Sequence, residues 1–248
     1  MHIYMSFFIL WIALYSSTSI IAQEQSLSSP SQSQQEIVSI YSEPNAVYTE
    51  DWSKLLLDIV QILAPHTGGT GNIVEVGVFE GRGTNALIQY LLRPEYDEKL
   101  GLPPRYQVYA FDIWENIWDG DLYDHSVAYN HFLLNTVNAR KRGVLFHIPG
   151  PTNQTLPMMQ PKLENSVSFA YIDGDHRATP TYMDAVNVWP MLRIGGWMLF
   201  DDYLWPKTNS SDPENSPQAG INRFINEYKL KVHIHYQKYQ LLLQKLAY

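Results

Sequence analysis

The segment EVGVFEGRGT, residues 75–84, decides how we interpret this chain. It follows a short apolar run at residues 72–76 and leads into a pattern typical of a helix. Glycines such as Gly77, Gly81 and Gly83 let the backbone turn tightly and approach a ligand, and the start of a helix offers unpaired N–H groups. The segment therefore predicts a strand–turn–helix unit with a ligand bound at the turn.

Two carboxylates narrow the identity of that ligand. Glu75 lies one residue before the end of the first strand, where a carboxylate suits an ammonium group better than a diphosphate. S-Adenosylmethionine carries such an ammonium group. Asp112 ends the second strand, a position from which an acid binds ribose hydroxyls in nucleotide-binding folds. Glu75, the three glycines and Asp112 together predict a site for S-adenosylmethionine.

Short apolar segments alternate with helical patterns along most of the chain, as expected for strands buried on both faces of a parallel sheet. Strands are predicted at residues 72–76, 107–111, 144–148, 168–172 and 197–200. Helices are predicted after Thr49 and at residues 84–92, 126–140 and 181–192, with Pro180 at the first position of the last. Residues 232–236 and 240–243 predict a hairpin. The expected fold is a Rossmann-like α/β fold, a doubly wound, mostly parallel sheet with a C-terminal antiparallel hairpin.

Acidic residues follow the fourth and fifth predicted strands. These are Asp173, Asp175, Asp201 and Asp202, with His176 beside them. The ends of neighbouring parallel strands meet at one edge of a sheet, where ligands of open α/β folds bind. Carboxylates gathered there repel one another unless they are protonated or bridged by a cation. An all-oxygen site suits Mg²⁺ or Mn²⁺ rather than zinc.

These motifs resemble those of a known family. Residues 173–176 (DGDH), the Gly195-Gly196 turn and residues 200–203 (FDDY) are similar to the metal-dependent small-molecule O-methyltransferases. The resemblance is to methyltransferase family 24, which includes the macrocin and aminocoumarin-sugar O-methyltransferases, and more distantly to catechol O-methyltransferase. It covers residues 73–228 and implies the class I methyltransferase fold, in which a hairpin closes the sheet.

The resemblance also implies a role for each site residue. The metal ligands would be Asp173, Asp201 and Asp202. Asp175 would be the general base for an acceptor hydroxyl, with His176 as its rival. Glu75, Gly77 and Asp112 would hold the cofactor. Residues 112–123 and the Gly150-Pro151 pair depart from the family pattern, which leaves the acceptor and adenine contacts open.

The implied reaction needs an aligned acceptor and a base, because the methyl group of a sulfonium is already activated. A divalent metal lowers the pKa of a bound hydroxyl, and a neighbouring carboxylate can remove its proton. The expected acceptor is a small hydroxylated molecule, such as a sugar or a catechol-like diol that chelates the metal. Trp114, Trp118 and Trp205 are candidates for a platform under its ring.

The composition of the chain limits the kinds of partner and site that it can have. The 248 residues are 45% hydrophobic, which suits one folded α/β domain, and the formal net charge of −8 opposes binding to nucleic acid. The absence of cysteine excludes disulfides, thiolate zinc sites and a cysteine nucleophile. A homo-oligomer is compatible with the sequence.

The N-terminal segment differs from the rest. Residues 1–22 are apolar with small residues near their end, which indicates a secretory signal peptide or a membrane anchor. Residues 23–46 are rich in Ser and Gln and predict a flexible linker, so that residues 47–248 form the methyltransferase domain. We therefore expect a chain in the secretory pathway that meets a membrane only through this segment. Asn153 and Asn209 begin glycosylation sequons usable in that location.

Three alternatives stay open at this stage. Asp173-Gly-Asp175 is also the Asp-x-Asp pattern of metal-dependent glycosyltransferases, although the glycine segment and the hairpin argue against that class. A hydroxylase-like member of the same fold is the second alternative. The third is a secreted binding module without catalysis on a methyltransferase scaffold, because a fold does not imply a function.

Overall fold

A computed structural model describes residues 43, 45–49, 53–67, 69–93, 99–115, 123–205 and 212–248. All of these belong to one compact unit, Ile37–Tyr248. The predicted signal or anchor, most of the predicted linker, Trp118 and Asn209 lie outside the described residues. Among the helices that are described, none has the length and apolar character needed to cross a membrane.

The described residues form a seven-stranded sheet. Its strands are β1 (Asn72–Val76), β2 (Val108–Asp112), β3 (Leu145–Pro149), β4 (Val167–Ile172), β5 (Leu192–Phe200), β6 (Val232–Gln237) and β7 (Leu241–Lys245). Their order is β3-β2-β1-β4-β5-β7-β6. The first five strands are parallel, and β7 runs antiparallel to both β5 and β6. The predicted doubly wound sheet with a closing hairpin is confirmed.

Helices cover both faces of the sheet. They are α1 (Lys54–Thr67), α2 (Arg82–Leu87, continuing as a π-helical turn at Ile88–Leu92), α3 (His125–Asn135), α4 (Val137–Lys141), α5 (Thr152–Leu163), α6 (Ala178–Val188) and α7 (Pro217–Tyr228). Side chains of α1, α2, the π turn and α3 pack on one face in one hydrophobic cluster. Side chains of α5, α6 and α7 pack on the other face in a second cluster. Strands between two such layers are apolar on both sides, which explains their continuous hydrophobic runs.

Some boundaries differ from the predictions. Helix α5 was not predicted, because it contains Pro157 and Pro161, yet burial of its Leu156 and Leu163 holds it against the sheet. Helix α6 begins at Ala178, so Pro180 is its third residue rather than its first. Proline is tolerated there because the N–H groups of a first turn have no partner within the helix.

The fifth strand is longer than predicted. It begins at Leu192 rather than at residue 197. Its pairing with β4 is interrupted between Val167 and Phe169, opposite the Gly195-Gly196 turn, where Gly195 has a φ of 77°. A glycine in the left-handed region often marks a bulge. Because two glycines interrupt the strand pattern here, the sequence predicted only the part of the strand that follows them.

The topology brings four chain segments to one edge. The carboxyl ends of β1, β2, β4 and β5 lie side by side, and the strand order reverses between β1 and β4, where ligands of this fold class bind. The β6–β7 turn reaches the same edge, because Leu241 at the start of β7 pairs with Phe200 at the end of β5.

Candidate active site

The loop after β1 is held against the end of β4. Gly77 has a φ of 80°, and a Cβ on it would lie 1.8 Å from the carbonyl oxygen of Asp173. Its N–H donates to the carbonyl of Phe111 at the end of β2 (2.9 Å). The sequence predicted a glycine here for approach to a ligand, but the closest contact is with the neighbouring strand. Gly77 therefore joins the predicted cofactor loop to the acidic edge, by which we mean the carboxyl ends of β4 and β5 with Asp173, Asp201 and Asp202.

The other two glycines allow close packing around helix α2. A Cβ on Gly81, which has a φ of 79°, would lie 2.9 Å from the ring of Phe132 in α3. A Cβ on Gly83 would lie 2.7 Å from Oε1 of Glu75. The glycine pattern thus brings the first turn of the helix directly over the Glu75 carboxyl.

Glu75 is a fully buried carboxyl group. Burial raises its pKa from 4.5 to about 8, although a hydrogen bond from Thr84 Oγ1 to its Oε2 (2.5 Å) acts in the opposite direction. None of the described residues gives this carboxyl group a positive partner, and burial therefore favours its neutral form at pH 7. A bound ammonium group would favour its charged form, as the sequence-based assignment requires.

Asp112 organises the same loop. Its Oδ2 accepts hydrogen bonds from the N–H groups of Val78 (2.7 Å) and Phe79 (2.9 Å), and its Oδ1 accepts one from Trp114 (2.8 Å). The sequence predicted a contact with ribose, and the structure adds a role in fixing the loop. The side chain remains partly exposed, and carboxylate oxygens can accept further hydrogen bonds.

A segment before α1 lies across this loop. The amide of Asn135 in α3 exchanges two hydrogen bonds with the backbone of Val47 (2.7 and 2.8 Å) and donates a third to the carbonyl of Glu80 (2.9 Å). The Glu80 carboxylate accepts hydrogen bonds from the N–H and hydroxyl of Thr49 and contacts His131 Nδ1 at 2.7 Å. We call residues 45–49 the strap. Sequence reasoning gave Glu80 and Asn135 no role, because their partners are distant along the chain.

The acidic edge brings together three of the predicted side chains. Asp173, His176 and Asp202 each offer one ligand atom, and the three atoms lie within 4.8 Å of one another. His176 Nε2 is 2.7 Å from Asp202 Oδ2. Burial lowers the pKa of His176, but the hydrogen bond and charge of Asp202 and the nearby Asp175 and Asp201 outweigh it, so the pKa is raised above 6.5. This group has His176 where the sequence placed Asp201.

Asp201 lies beside this group and is held by other partners. Its Oδ2 accepts hydrogen bonds from the Tyr171 hydroxyl and from Gln240 Nε2 (3.1 Å). Tyr171 is buried, and its hydroxyl is also 3.0 Å from Oδ2 of Asp173. The Tyr171 hydroxyl thus lies between the carboxyl groups of Asp173 and Asp201 and links them. Sequence reasoning did not identify Tyr171.

Crowding at this edge favours protonated carboxyl groups. Removal from water raises the pKa of Asp173 well above its ordinary value, and repulsion from Asp201 and Asp202 adds to the effect. Removal from water also raises the pKa of Asp201, an effect reduced by the Tyr171 hydrogen bond and reinforced by Asp202. A cation between these groups would relieve both effects, which fits a metal site.

Asp175 is paired rather than free. Arg177 Nε lies 2.9 and 3.0 Å from the two oxygens of Asp175, and Arg177 Nη2 and N–H donate as well. Both carboxylate oxygens of the predicted general base are therefore engaged by one guanidinium group. His176 makes no such contact with Arg177 among its described hydrogen bonds, and its ring stacks on Trp205 (centroids 4.8 Å apart, planes inclined by 10°).

The tryptophans differ in their surroundings. Trp205 is 38% exposed, and its ring stacks on that of His176 next to the candidate metal ligands Asp173 and Asp202. Trp114 is only 5% exposed, packs against Phe132 and donates from its ring to the carbonyl of Phe79 (2.8 Å). The expectation that Trp114 lies under an acceptor ring is wrong, because it is part of the core that supports the loop.

Comparison with known proteins identifies the family of the chain. The family model described as "Methyltransferase domain", methyltransferase family 24, matches residues 74–203, more than half of the chain. The chain belongs to this methyltransferase family. All of the predicted site residues lie within the matched segment. No curated protein is significantly similar to the chain in sequence.

Solved methyltransferases share the fold. An O-methyltransferase from Bacillus cereus in complex with SAH has a TM-score of 0.55 at 15% identity over 88% of this chain and 93% of that one. MycE from the mycinamycin pathway, in complex with Mg and SAH, has a TM-score of 0.52 at 14% identity over 86% of this chain and 54% of that one. The O-methyltransferase NovP has a TM-score of 0.50 at 17% identity, covering 77% and 80%. The predicted class I methyltransferase fold is confirmed.

Proposed function

We propose that this chain is an S-adenosylmethionine-dependent O-methyltransferase that uses Mg²⁺ or Mn²⁺ and acts on a small hydroxylated molecule, such as a sugar or a catechol-like diol. The observation that carries the proposal is the junction at Gly77, whose backbone touches the backbone of Asp173. Because of this contact, the predicted cofactor loop and the carboxylates form one site rather than two.

The cofactor end of the site is built by the loop after β1. S-Adenosylmethionine supplies a methyl group on an activated sulfonium, and a divalent cation supplies positive charge that favours an ionised acceptor hydroxyl. Glu75 binds the ammonium group, and the positive charge of that group offsets the free-energy cost of removing the Glu75 carboxylate from water. Asp112 accepts hydrogen bonds from the ribose while the loop amides fix its position.

The cation end consists of the edge carboxylates. Asp173, Asp201 and Asp202 are the ligands in this proposal. His176 Nε2 lies within 4.8 Å of ligand atoms of Asp173 and Asp202, so the imidazole borders the cation position without being a ligand. An all-oxygen set of ligands suits Mg²⁺ or Mn²⁺.

Proton removal from the acceptor is assigned to His176, with Asp175 as the alternative. His176 is half exposed at the cation end and stacks on Trp205, which is placed to hold the ring of an acceptor. Asp175 is engaged by Arg177 and serves in this proposal to hold the loop after β4.

We also propose entry into the secretory pathway through residues 1–22, with membrane contact limited to that segment. Support comes from the apolar N-terminal sequence and from Asn153, which is exposed at the start of α5. Expression in eukaryotic cells should give a membrane-associated or secreted chain whose mass falls on treatment with a glycosidase. A full-length chain in the cytosolic fraction without glycans would contradict this location.

Calorimetry with the full chain tests the proposed activity. We expect binding of S-adenosylhomocysteine, binding of Mn²⁺ and no binding of a nucleotide sugar. Asp202→Asn should abolish Mn²⁺ binding and keep the cofactor product bound. Asp124→Asn is the matched control, because Asp124 is an exposed helix cap far along the chain from these ligands and Asn also caps helices.

Methyl transfer from labelled S-adenosylmethionine to a panel of catechols and sugars completes the test. It should stop when a chelator is added and fall strongly in Asp202→Asn. Transfer that ignores both changes would overturn the metal site. Metal-dependent binding of a nucleotide sugar without binding of S-adenosylhomocysteine would favour a glycosyltransferase instead.

A further inference from the structure

The turn between β6 and β7 lies at the acidic edge. It comprises residues 238–240 and is closed by a hydrogen bond from the N–H of Lys238 to the carbonyl of Gln240 (2.9 Å). Leu241 pairs with Phe200, the residue immediately before Asp201. The C-terminal hairpin therefore delivers its turn directly to the carboxylates that follow β5.

Two side chains of this turn hold those carboxylates. The Tyr239 hydroxyl donates to Oδ1 of Asp202 (2.6 Å), whose other oxygen, Oδ2, faces His176 at 2.7 Å. Gln240 Nε2 donates to Oδ2 of Asp201 (3.1 Å). One oxygen of Asp202 is thus anchored by the hairpin, and the other is directed to the group of candidate ligands.

Tyr239 also supports the backbone that carries Asp202. Asp202 has a φ of 54°, in the left-handed region that residues other than glycine adopt uncommonly. Its carbonyl accepts a hydrogen bond from the N–H of Trp205 (2.9 Å), and the N–H of Leu204 donates to the carbonyl of Tyr239 (3.3 Å). Such a conformation persists where the surroundings hold it, and Tyr239 provides two of the contacts that do so.

We propose that Tyr239 is a positioning residue that orients Asp202 Oδ2 toward the bound cation. This inference rests on the cation site of the proposed function. Groups that hydrogen-bond to metal-ligating carboxylates orient them, and their loss weakens metal affinity by about 10- to 100-fold. Tyr239 remains a donor at physiological pH, because burial and the neighbouring Asp202 raise the pKa of its hydroxyl.

Replacement of Tyr239 by Phe removes the hydroxyl and keeps the ring. Tyr203→Phe is the matched control, because the Tyr203 hydroxyl donates to Asn222 Oδ1 (3.1 Å) and accepts from Gln237 Nε2 (2.9 Å). The Tyr203→Phe change also weakens the contact between the hairpin and the loop after β5. The hydroxyl that it removes, however, contacts none of the carboxylates of the acidic edge. Mn²⁺ and S-adenosylhomocysteine dissociation constants are measured by calorimetry on the full chain, with thermal unfolding to compare the stability of the two variants.

We expect Mn²⁺ to bind Tyr239→Phe about 10- to 100-fold more weakly than wild type. Tyr203→Phe should stay within about twofold, and both should bind S-adenosylhomocysteine normally. Equal Mn²⁺ affinity in Tyr239→Phe and wild type would overturn the inference, as would an equal loss in both variants. If wild type itself binds no Mn²⁺, the proposed cation site fails first, and the wild-type titration shows that failure separately.

Discussion

Replacing Glu75 by Gln should stabilise the protein without ligands and weaken its binding of the cofactor. The carboxyl group is buried, and its pKa is raised from 4.5 to about 8, chiefly by burial. A folded-state pKa above the unfolded value means that the folded protein holds a proton that the unfolded chain releases. The contribution of Glu75 to the free energy of unfolding therefore falls as pH rises from about 4.5 to about 8 and is constant on either side of that interval.

The size of the effect follows from this interval. It spans roughly 3.5 pH units, each worth about 1.4 kcal/mol, so that Glu75 lowers stability by about 3 kcal/mol at pH 7 and about 5 kcal/mol above pH 8. Gln has nearly the same shape, stays neutral and can accept the hydrogen bond from Thr84. The variant should match wild type near pH 4.5 and exceed it by an amount that grows with pH.

Urea denaturation at pH 5, 6, 7 and 8 measures this difference. Glu164→Gln, at an exposed carboxylate after α5, controls for the loss of one negative charge. Calorimetry at pH 7 should show S-adenosylhomocysteine bound about 10- to 100-fold more weakly by Glu75→Gln, because a charged hydrogen bond of about 1.5–3 kcal/mol is lost. A stability difference that does not change between pH 5 and pH 8 would refute the reasoning about burial, and unchanged ligand affinity would refute the assignment to the ammonium group.

Contacts elsewhere in the site lead to further expected outcomes. Gly77→Ala should fail to fold, because its Cβ would lie 1.8 Å from the Asp173 carbonyl oxygen, and circular dichroism detects this. Asn135→Ala should lower the free energy of unfolding in urea by about 2–3 kcal/mol, because three side-chain hydrogen bonds to the strap and the loop are lost. His176→Asn should reduce turnover by about two to four orders of magnitude with normal cofactor affinity, whereas Asp175→Asn should reduce it less. The pKa of His176, followed by NMR, should fall when Mg²⁺ is added.

Each of these outcomes has a contrary result. A folded Gly77→Ala would mean that β1 and β4 separate easily at this edge. An Asn135→Ala variant as stable as wild type would show that the strap contributes nothing to the fold. Loss of turnover in Asp175→Asn alone would return the role of base to that residue. A His176 pKa that ignores Mg²⁺ would place the cation elsewhere.

The sequence predicted those parts of the site that depend on local pattern and strand order. Asp173, Asp201 and Asp202 were expected to meet because they follow the fourth and fifth strands, and neighbouring parallel strands end at one edge of the sheet. The loop after β1 was predicted from its glycines. Two of them, Gly77 and Gly81, have the positive φ angles that favour glycine. Errors in the fold fall where prolines or paired glycines interrupt a pattern, in α5 and at the beginning of β5.

The contacts that the sequence did not reveal are those between segments far apart along the chain. Val47 and Asn135 are 88 residues apart, and Asp202 and Tyr239 are 37 apart. No periodicity links such pairs, and a lone tyrosine in a hairpin turn looks like any surface aromatic. The pairing of Asp175 with Arg177 is different, because the two residues are close in sequence. The DGDH motif indicates an acid suited to act as a base, and nothing in that pattern shows that the arginine after it binds both carboxylate oxygens.

Charge at the acidic edge couples the choice of base to the cation. Burial lowers the pKa of His176, but Asp202, Asp175 and Asp201 raise it by more, so the net shift is upward. A protonated imidazole cannot accept a proton from an acceptor hydroxyl, so these acidic neighbours oppose the role of His176 as a base. A cation that compensates the charge of Asp202 and Asp201 would reduce their effect and favour the neutral imidazole. The Asp175 carboxylate is instead paired with Arg177. In the proposed site, the cation therefore favours two things together, a neutral His176 and an ionised acceptor hydroxyl.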